Sequence, residues 1–156
     1  MVSTWKNCID FLKAHRDEIE RRNIFVGVEN IWNCFFLSAY DMASFIDEIG
    51  SAKIGAYLDL GNMLVTSRPQ DWVEILGSRI GKCHIKDFKR NGFLQGGDWD
   101  VLIGDGDGQW DKVMEALAKV GYHDTIIAEV FKMQQPGTYE DFYKVTYERA
   151  NKVVNG

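Results

Sequence analysis

The segment Lys53-Ile54-Gly55-Ala56-Tyr57-Leu58-Asp59 is a mostly apolar run that ends in an aspartate. Such a run is typical of a strand in a parallel sheet, which is buried on both faces and therefore apolar along its length. After a short polar link, residues 69–76 have apolar residues at helical spacing, and Pro69 falls at a first-turn position that helices tolerate. The segment therefore predicts one β/α unit.

The same pattern occurs three more times along the chain. Apolar runs with polar ends predict further strands at residues 23–29, 80–86 and 124–130. Helical spacing predicts further helices at residues 8–22, 40–49, 110–120 and 139–154. Ser38 is expected to cap one of these helices and Gly50 to end it. Residues 87–108 are rich in glycine and acidic residues, which predicts a loop or a loop that contains a short hairpin.

The order of these elements is one helix followed by four β/α units. Alternating strands and helices predict a parallel sheet with right-handed crossovers, so the fold class is α/β. A length of 156 residues and the lack of a low-complexity linker favour a single domain over residues 1–156.

Composition excludes several classes of function. The net charge is −5 without a long basic run, which argues against a nucleic-acid-binding groove. Three cysteines without a CxxC pair favour a reduced, cytoplasmic protein rather than a disulfide framework or a zinc ribbon. The first residues do not have the pattern of a signal peptide, and no apolar run approaches the roughly 20 residues of a membrane span.

A potential metal ligand lies at the end of every predicted strand. These residues are Glu29, Asp59, His84 and Glu129. In parallel α/β folds the carboxyl ends of the strands meet at one edge and bind ligands there, so the four side chains are expected to share a site. Three carboxylates and one imidazole favour Mn²⁺ or Mg²⁺, with Co²⁺ or Zn²⁺ as alternatives.

Each of these residues also has a simpler interpretation. Glu29 could cap a helix, Asp59 could belong to a turn, His84 could be a core histidine, and Glu129 could be an acid on the rim. The aromatic residues Trp32, Phe35 and Phe36 could line a substrate pocket or belong to the core or a dimer contact. Residues 104–108, Gly-Asp-Gly-Asp-Gly, lack the pattern of an EF-hand or a P-loop and are expected to form a turn.

Four short motifs resemble those of the sugar phosphate isomerase/epimerase family, which has a xylose isomerase-like barrel. They are Val28-Glu29-Asn30, Asp59-Leu60-Gly61-Asn62, His84-Ile85-Lys86-Asp87 and Ala128-Glu129-Val130. Within that family the chain is most similar to ketose 3-epimerases and L-xylulose-5-phosphate 3-epimerase-like proteins. Because such barrels have eight β/α units, the resemblance implies that this chain corresponds to units 5–8, the second half of a (β/α)8 barrel.

The resemblance also implies roles for individual residues. Glu29 and Glu129 would be both metal ligands and the catalytic acid and base, on opposite faces of the substrate. The metal would hold the carbonyl and hydroxyl oxygens of a sugar or sugar phosphate and stabilise an enediolate. Lys86 and Arg90 would contact substrate oxygens, although a solvated surface role is equally open for both. Asn62 stands where some members carry a substrate-binding histidine.

A half barrel leaves two open sheet edges, so two copies are expected to associate and complete a barrel. Two other functions stay open. One is a catalytically inactive half barrel with a residual metal site. The other is an abasic-site endonuclease, against which the small number of histidines and the negative net charge argue.

Overall fold

Four parallel strands form the main sheet of the computed structural model, in which residues 2–92 and 95–156 are described. The sheet order is β1-β2-β3-β6, and a separate antiparallel ribbon pairs β4 with β5. The strands are β1 (Val26–Glu29), β2 (Ile54–Asp59), β3 (Ile80–Ile85), β4 (Lys89–Arg90), β5 (Gly97–Asp98) and β6 (Ile126–Ala128). The helices are α1 (Val2–Arg21), α2 (Ala39–Ile49), α3 (Pro69–Leu76), α4 (Trp110–Lys119) and α5 (Tyr139–Asn155).

The predicted order of one helix and four parallel β/α units is confirmed. Helix α3 has the predicted bounds, and the expected hairpin is the β4–β5 ribbon, although residues 93 and 94 of the predicted loop lie outside the described residues. The largest differences are at the ends of elements. Helix α1 begins at Val2 rather than at Cys8, and β6 covers only Ile126–Ala128.

The early start of α1 has a packing reason. Trp5 stacks on Phe35 with ring centroids 5.3 Å apart, and it meets Phe45 edge-on at 5.0 Å. These contacts partly bury the first turns of α1 against residues that follow β1. Tertiary packing therefore stabilises helical turns before Cys8 that the spacing of apolar residues within α1 does not predict.

Helix α2 begins and ends as predicted. The Ser38 hydroxyl accepts a hydrogen bond from the backbone N–H of Asp41, and the Asp41 carboxylate accepts one from the N–H of Ser38, which makes a capping box. At the other end Gly50 has a φ of 69°, a left-handed conformation that glycine adopts with little strain. These two caps fix both ends of the helix that connects β1 to β2.

The main core lies between the sheet and the helices α2, α3 and α4. Its fully buried side chains include Met42, Leu58, Val73 and Val113. Strand alternation turns Tyr57 to the other face of the sheet, which corresponds to the inside of a barrel and which we call the inner face. There the Tyr57 ring lies 4.3 Å from the His84 ring, centroid to centroid.

Residues 2–92 and 95–156 include no helix with both the length and the apolar composition that a membrane crossing requires.

Candidate metal centre

The four predicted ligands converge at the carboxyl edge of the sheet. Strand register pairs Asp59 with His84, and the backbone N–H of Glu129 donates to the carbonyl of Ile85 over 3.0 Å, which continues the pairing of β3 and β6. Glu29 ends β1 on the other side of β2. The parallel register therefore brings four residues that are distant in sequence to one level of the inner face.

The ligand atoms of these residues lie within 4.8 Å of one another. We call Glu29, Asp59, His84 and Glu129 the strand-end cluster. His84 Nδ1 is 3.1 Å from Glu29 Oε1, 3.8 Å from Asp59 Oδ2 and 3.8 Å from Glu129 Oε2. The imidazole therefore lies among all three carboxylates, as expected for a ligand rather than for an isolated core histidine.

The cluster fits a divalent cation. Protein ligands bind such ions at about 2.0–2.2 Å, so two atoms that share an ion are at most about 4.4 Å apart. The observed upper limit, 4.8 Å, exceeds this value by less than one ångström, and small side-chain movements can close that gap. Asp59 Oδ2 is buried and directed at the cluster, where its nearest partner is the Lys86 ammonium at 2.7 Å, so this oxygen already faces a positive charge.

Asp59 is held in place by its neighbours. Its backbone N–H donates to Asn30 Oδ1 over 2.8 Å, and Asn30 Nδ2 returns a bond to the Asp59 carbonyl over 2.9 Å. The N–H of Asn62 donates to Asp59 Oδ1 over 2.9 Å. One carboxylate oxygen is thus fixed by the backbone, which leaves the other directed at the cluster.

Both polar atoms of the Asn62 side chain make hydrogen bonds within the protein. Its Oδ1 accepts from the Trp32 indole N–H over 2.8 Å, and its Nδ2 donates to the Asn30 carbonyl over 2.9 Å. The residue is 8% exposed and contributes to a cavity wall. Sequence reasoning missed Asn30, although its position directly after Glu29 was visible in the motif.

Lys86 joins the cluster as predicted from its position after His84. Its Nζ lies 2.7 Å from Asp59 Oδ2 and 2.5 Å from Glu129 Oε2. Burial raises the pKa of Asp59, and Lys86 offsets this rise only in part. The same ammonium lowers the pKa of the more exposed Glu129. Burial would lower the pKa of Lys86, but the two carboxylates outweigh it, and the pKa is raised.

Arg90 is not brought to the strand-end cluster. Its guanidinium donates from Nε to the Leu64 carbonyl over 2.8 Å, and the residue lines a separate cavity with Arg68 and Asp107. The side chain leaves the inner face because β3 ends at Ile85 and Arg90 belongs to the β4–β5 ribbon. The substrate contact implied for Arg90 by resemblance therefore has no geometric support.

A cavity of about 510 Å³ adjoins the cluster. Glu129, Lys86 and Asn62 form its polar end, and much of the remaining wall is apolar. Glu29 borders a second cavity of about 570 Å³ beside α1. The sequence left open whether the aromatic residues after β1 line a pocket or belong to the core, and the structure shows one of each. Trp32 lines the first cavity, whereas Phe36 belongs to the core.

Asp87 is a buried residue that organises a loop beside the site and that sequence reasoning missed. Its carboxylate is 2% exposed and accepts hydrogen bonds from the backbone N–H groups of Phe88, Gly104, Gly106 and Gly108 and from the indole of Trp110. The expected turn at residues 104–108 thus wraps around one buried acid. The signal was present in the sequence, since three alternating glycines expose successive N–H groups that can bind an anion.

Comparison with known proteins decides the family. The sequence model described as the xylose isomerase-like TIM barrel matches residues 3–148. The chain belongs to the xylose isomerase-like TIM barrel family. The resemblance of its four strand-end motifs to this family is therefore confirmed.

Solved structures of related barrels superpose on nearly the whole chain. The IolI protein with a bound zinc atom matches 97% of this chain and 56% of its own, with 18% identity and a TM-score of 0.80. A D-tagatose 3-epimerase-like protein matches 97% of this chain and 55% of its own, with 25% identity and a TM-score of 0.70. D-psicose 3-epimerase from Clostridium cellulolyticum H10, with 19% identity, covers 97% of this chain and 51% of its own, with a TM-score of 0.70.

Curated relatives give the same picture. An uncharacterized protein of Methanocaldococcus jannaschii is 25% identical over 139 residues, which is 86% of this chain and 46% of the relative. The 3-oxo-isoapionate decarboxylase of Pectobacterium atrosepticum is 30% identical over 86 residues, or 54% of this chain and 30% of the relative. The chain spans about half or less of the length of the relatives and solved structures it matches, and its sheet has four parallel strands, so the prediction of a half barrel is confirmed.

Proposed function

We propose that the protein is a metal-dependent epimerase or isomerase of a sugar or sugar phosphate that moves a proton on the carbon beside a carbonyl group. The observation that carries the proposal is the convergence of the strand-end cluster, whose ligand atoms lie within 4.8 Å of one another beside a cavity of about 510 Å³. Clusters of titratable ligands beside a concave pocket are the usual setting of catalysis.

The positions of the two glutamates suit proton transfer on opposite faces of a sugar. Glu29 ends β1 and Glu129 follows β6, and these are the outermost strands of the sheet. One carboxylate would remove the proton from the carbon beside the carbonyl, which leaves an enediolate. The other, in its acid form, would return a proton to the opposite face of the same carbon. The overall reaction consumes no proton, because the two residues exchange their protonation states.

The four residues of the strand-end cluster would hold the cation, and the oxygen-rich donor set favours Mn²⁺, with Mg²⁺, Co²⁺ or Zn²⁺ as alternatives. A bound divalent cation supplies positive charge beside the substrate oxygens, where negative charge develops when the proton leaves. The IolI neighbour binds zinc, which supports a transition-metal ion rather than Mg²⁺ alone.

The residues around the cluster would orient the sugar. Lys86 would donate to a substrate oxygen, and Asn62 would shape the cavity wall through its bond to Trp32. Several neighbours in the family are ketose 3-epimerases, which supports a ketose as substrate. Arg90 has no part in this proposal, because its side chain lies in a different cavity.

Solvent exchange tests the function. The protein is incubated with Mn²⁺ in D₂O with D-psicose, D-tagatose, D-fructose and L-xylulose 5-phosphate, and NMR follows deuterium entering the carbon beside the carbonyl. Exchange that EDTA abolishes and Mn²⁺ restores is the expected result. Metal binding without exchange on any of these sugars would favour the inactive half barrel, and cleavage of an abasic duplex would favour the nuclease.

Two sheet edges are open in the part of the chain that the structure describes, since β1 pairs only with β2 and β6 only with β3. We propose that two copies of the chain, each a single cytoplasmic domain, associate through these edges. The described residues form five α-helices for the four strands of the main sheet, so α1 of one copy and α5 of the other would compete for one groove at each junction. One of the two helices must therefore shift when the copies pair.

Light scattering after size exclusion is expected to give twice the monomer mass of 17.9 kDa at micromolar concentration. A folded monomer at this concentration would contradict association through the sheet edges.

A further inference from the structure

Lys86 lies between two of the three carboxylates in the strand-end cluster. The residue follows the last position of β3, and its side chain is 13% exposed. Its Nζ bridges Asp59 Oδ2 at 2.7 Å and Glu129 Oε2 at 2.5 Å. One ammonium thus pairs with two carboxylates that lie at the ends of two different strands.

The chain is built to hold this lysine in place. A Cβ atom at Gly61 would collide with the backbone carbonyl and the Cγ atom of Lys86. Glycine at this position therefore lets the backbone after β2 approach Lys86 closely, and the lysine stem lies against the end of β2 instead of extending into solvent.

The lysine uses the same oxygen atoms that a metal ion would use. Asp59 Oδ2 and Glu129 Oε2 are each 3.8 Å from His84 Nδ1, which places both oxygens on the side of the imidazole that faces the cluster. A divalent cation among these ligands would lie close to the ammonium. Two positive charges in a partly buried site repel each other strongly, because the local dielectric constant is low.

We propose that Lys86 is a built-in counter-cation that competes with the metal and becomes available to the substrate only after the metal has bound. Metal binding detaches the ammonium from Asp59 and Glu129 and turns it into the adjoining cavity, which Lys86 already lines. The proposal rests on the proposed function and extends it to the order of events. Metal binds first, and the displaced lysine then donates a hydrogen bond to a substrate oxygen.

Metal affinity tests the competition directly. The full chain and its Lys86→Met variant are titrated with Mn²⁺ by calorimetry, and the variant is expected to bind at least about tenfold more tightly, because methionine removes the repelling charge without removing the apolar stem. Lys89→Met is the matched control, since Lys89 is 53% exposed and its ion pair with Asp107 at 3.2 Å lies outside the cluster. Its affinity for Mn²⁺ should stay within about twofold of the unmodified chain.

A second measurement needs no variant. The unmodified protein is labelled with an amine-reactive acetylating reagent, and mass spectrometry follows the peptide that carries Lys86 with and without Mn²⁺. Labelling of Lys86 is expected to rise several-fold when Mn²⁺ is added, whereas labelling of Lys89 should not change. This readout reports the release of the ammonium even if the methionine variant fails to fold.

The outcomes separate this inference from the proposed function. Tighter Mn²⁺ binding by Lys86→Met, together with no exchange on any of these sugars by the unmodified protein, supports the counter-cation and overturns the epimerase. Sugar exchange by the unmodified protein, with unchanged affinity in the variant and unchanged labelling of Lys86, overturns the counter-cation alone. A protein that binds neither Mn²⁺ nor Zn²⁺ overturns both.

Discussion

Glu29→Gln and Glu129→Gln are each expected to lower the rate of epimerisation by about 10²- to 10⁴-fold, the range for loss of a general acid or base. Glutamine keeps the size of the side chain, but its amide does not accept a proton at neutral pH. Because Glu29 ends β1 and Glu129 directly follows β6, the outermost strands of the sheet, each variant should keep exchange on one face of the sugar and lose transfer to the other. NMR in D₂O measures deuterium uptake and epimer formation in the same sample.

Both glutamates are also proposed metal ligands, so Mn²⁺ affinity is measured for each variant and the rates are compared at saturating metal. Glu115→Gln on the exposed side of α4 is the matched control and should retain the full rate. Epimerisation at the unmodified rate by either glutamine variant would show that its glutamate is neither acid nor base. Equal loss of exchange with both epimers would point instead to a single carboxylate that serves both faces.

Much of the fold follows from local patterns that the structure obeys. Ser38 and Gly50 cap α2 because their local chemistry satisfies the ends of a helix, and Pro69 begins α3 at a position where its missing N–H costs nothing. The start of α1 was not predictable in this way. It depends on Trp5 reaching Phe35 and Phe45, residues about 30 or more positions away, and no local pattern contains that information.

Some residues of the site were also predictable from sequence pattern, and others were not. Glu29, Asp59, His84 and Glu129 were predictable because parallel strands carry their ends to one edge, so position along each strand determines position in space. Arg90 illustrates the limit of this rule. It lies six residues after His84, but the chain has left β3 and turned into the β4–β5 ribbon, so sequence distance no longer gives direction.

The bonds of buried polar residues were equally hidden from the sequence. Asn30 supports Asp59 through its side-chain amide, and Asn62 supports it through a backbone N–H while its own amide bonds to the Asn30 carbonyl. The choice of these partners depends on rotamers that only the packed structure determines. In the sequence, Asp87 is likewise only one of several charged residues between positions 86 and 90. The alternating glycines indicate that some anion is bound, but the structure identifies Asp87 as that anion, because the loop after β5 folds back and brings three backbone N–H groups and the Trp110 indole to its carboxylate.

Asp87→Asn is expected to lower the free energy of unfolding by about 3 to 5 kcal/mol, since each buried donor left unpaired costs about 1–3 kcal/mol. In the structure Oδ1 accepts from Phe88 and Gly108, and Oδ2 accepts from Gly104, Gly106 and Trp110. An amide can replace only one of these oxygens, so its NH₂ group must face two or three N–H donors. Urea unfolding of the full chain measures the loss.

Two further variants grade this effect. Trp110→Phe removes one of the donors to Asp87 and should cost about 1 kcal/mol beyond the small change in packing. Asp105→Asn in the same loop removes only a surface ion pair with Arg149 and should change stability by less than about 1 kcal/mol. A loss below about 1 kcal/mol for Asp87→Asn would show that the loop is held by other contacts.

Because Val101, Leu102 and Ile103 of this loop line the cavity beside Glu129, a large loss of stability in Asp87→Asn should be accompanied by weaker binding of sugars at saturating metal.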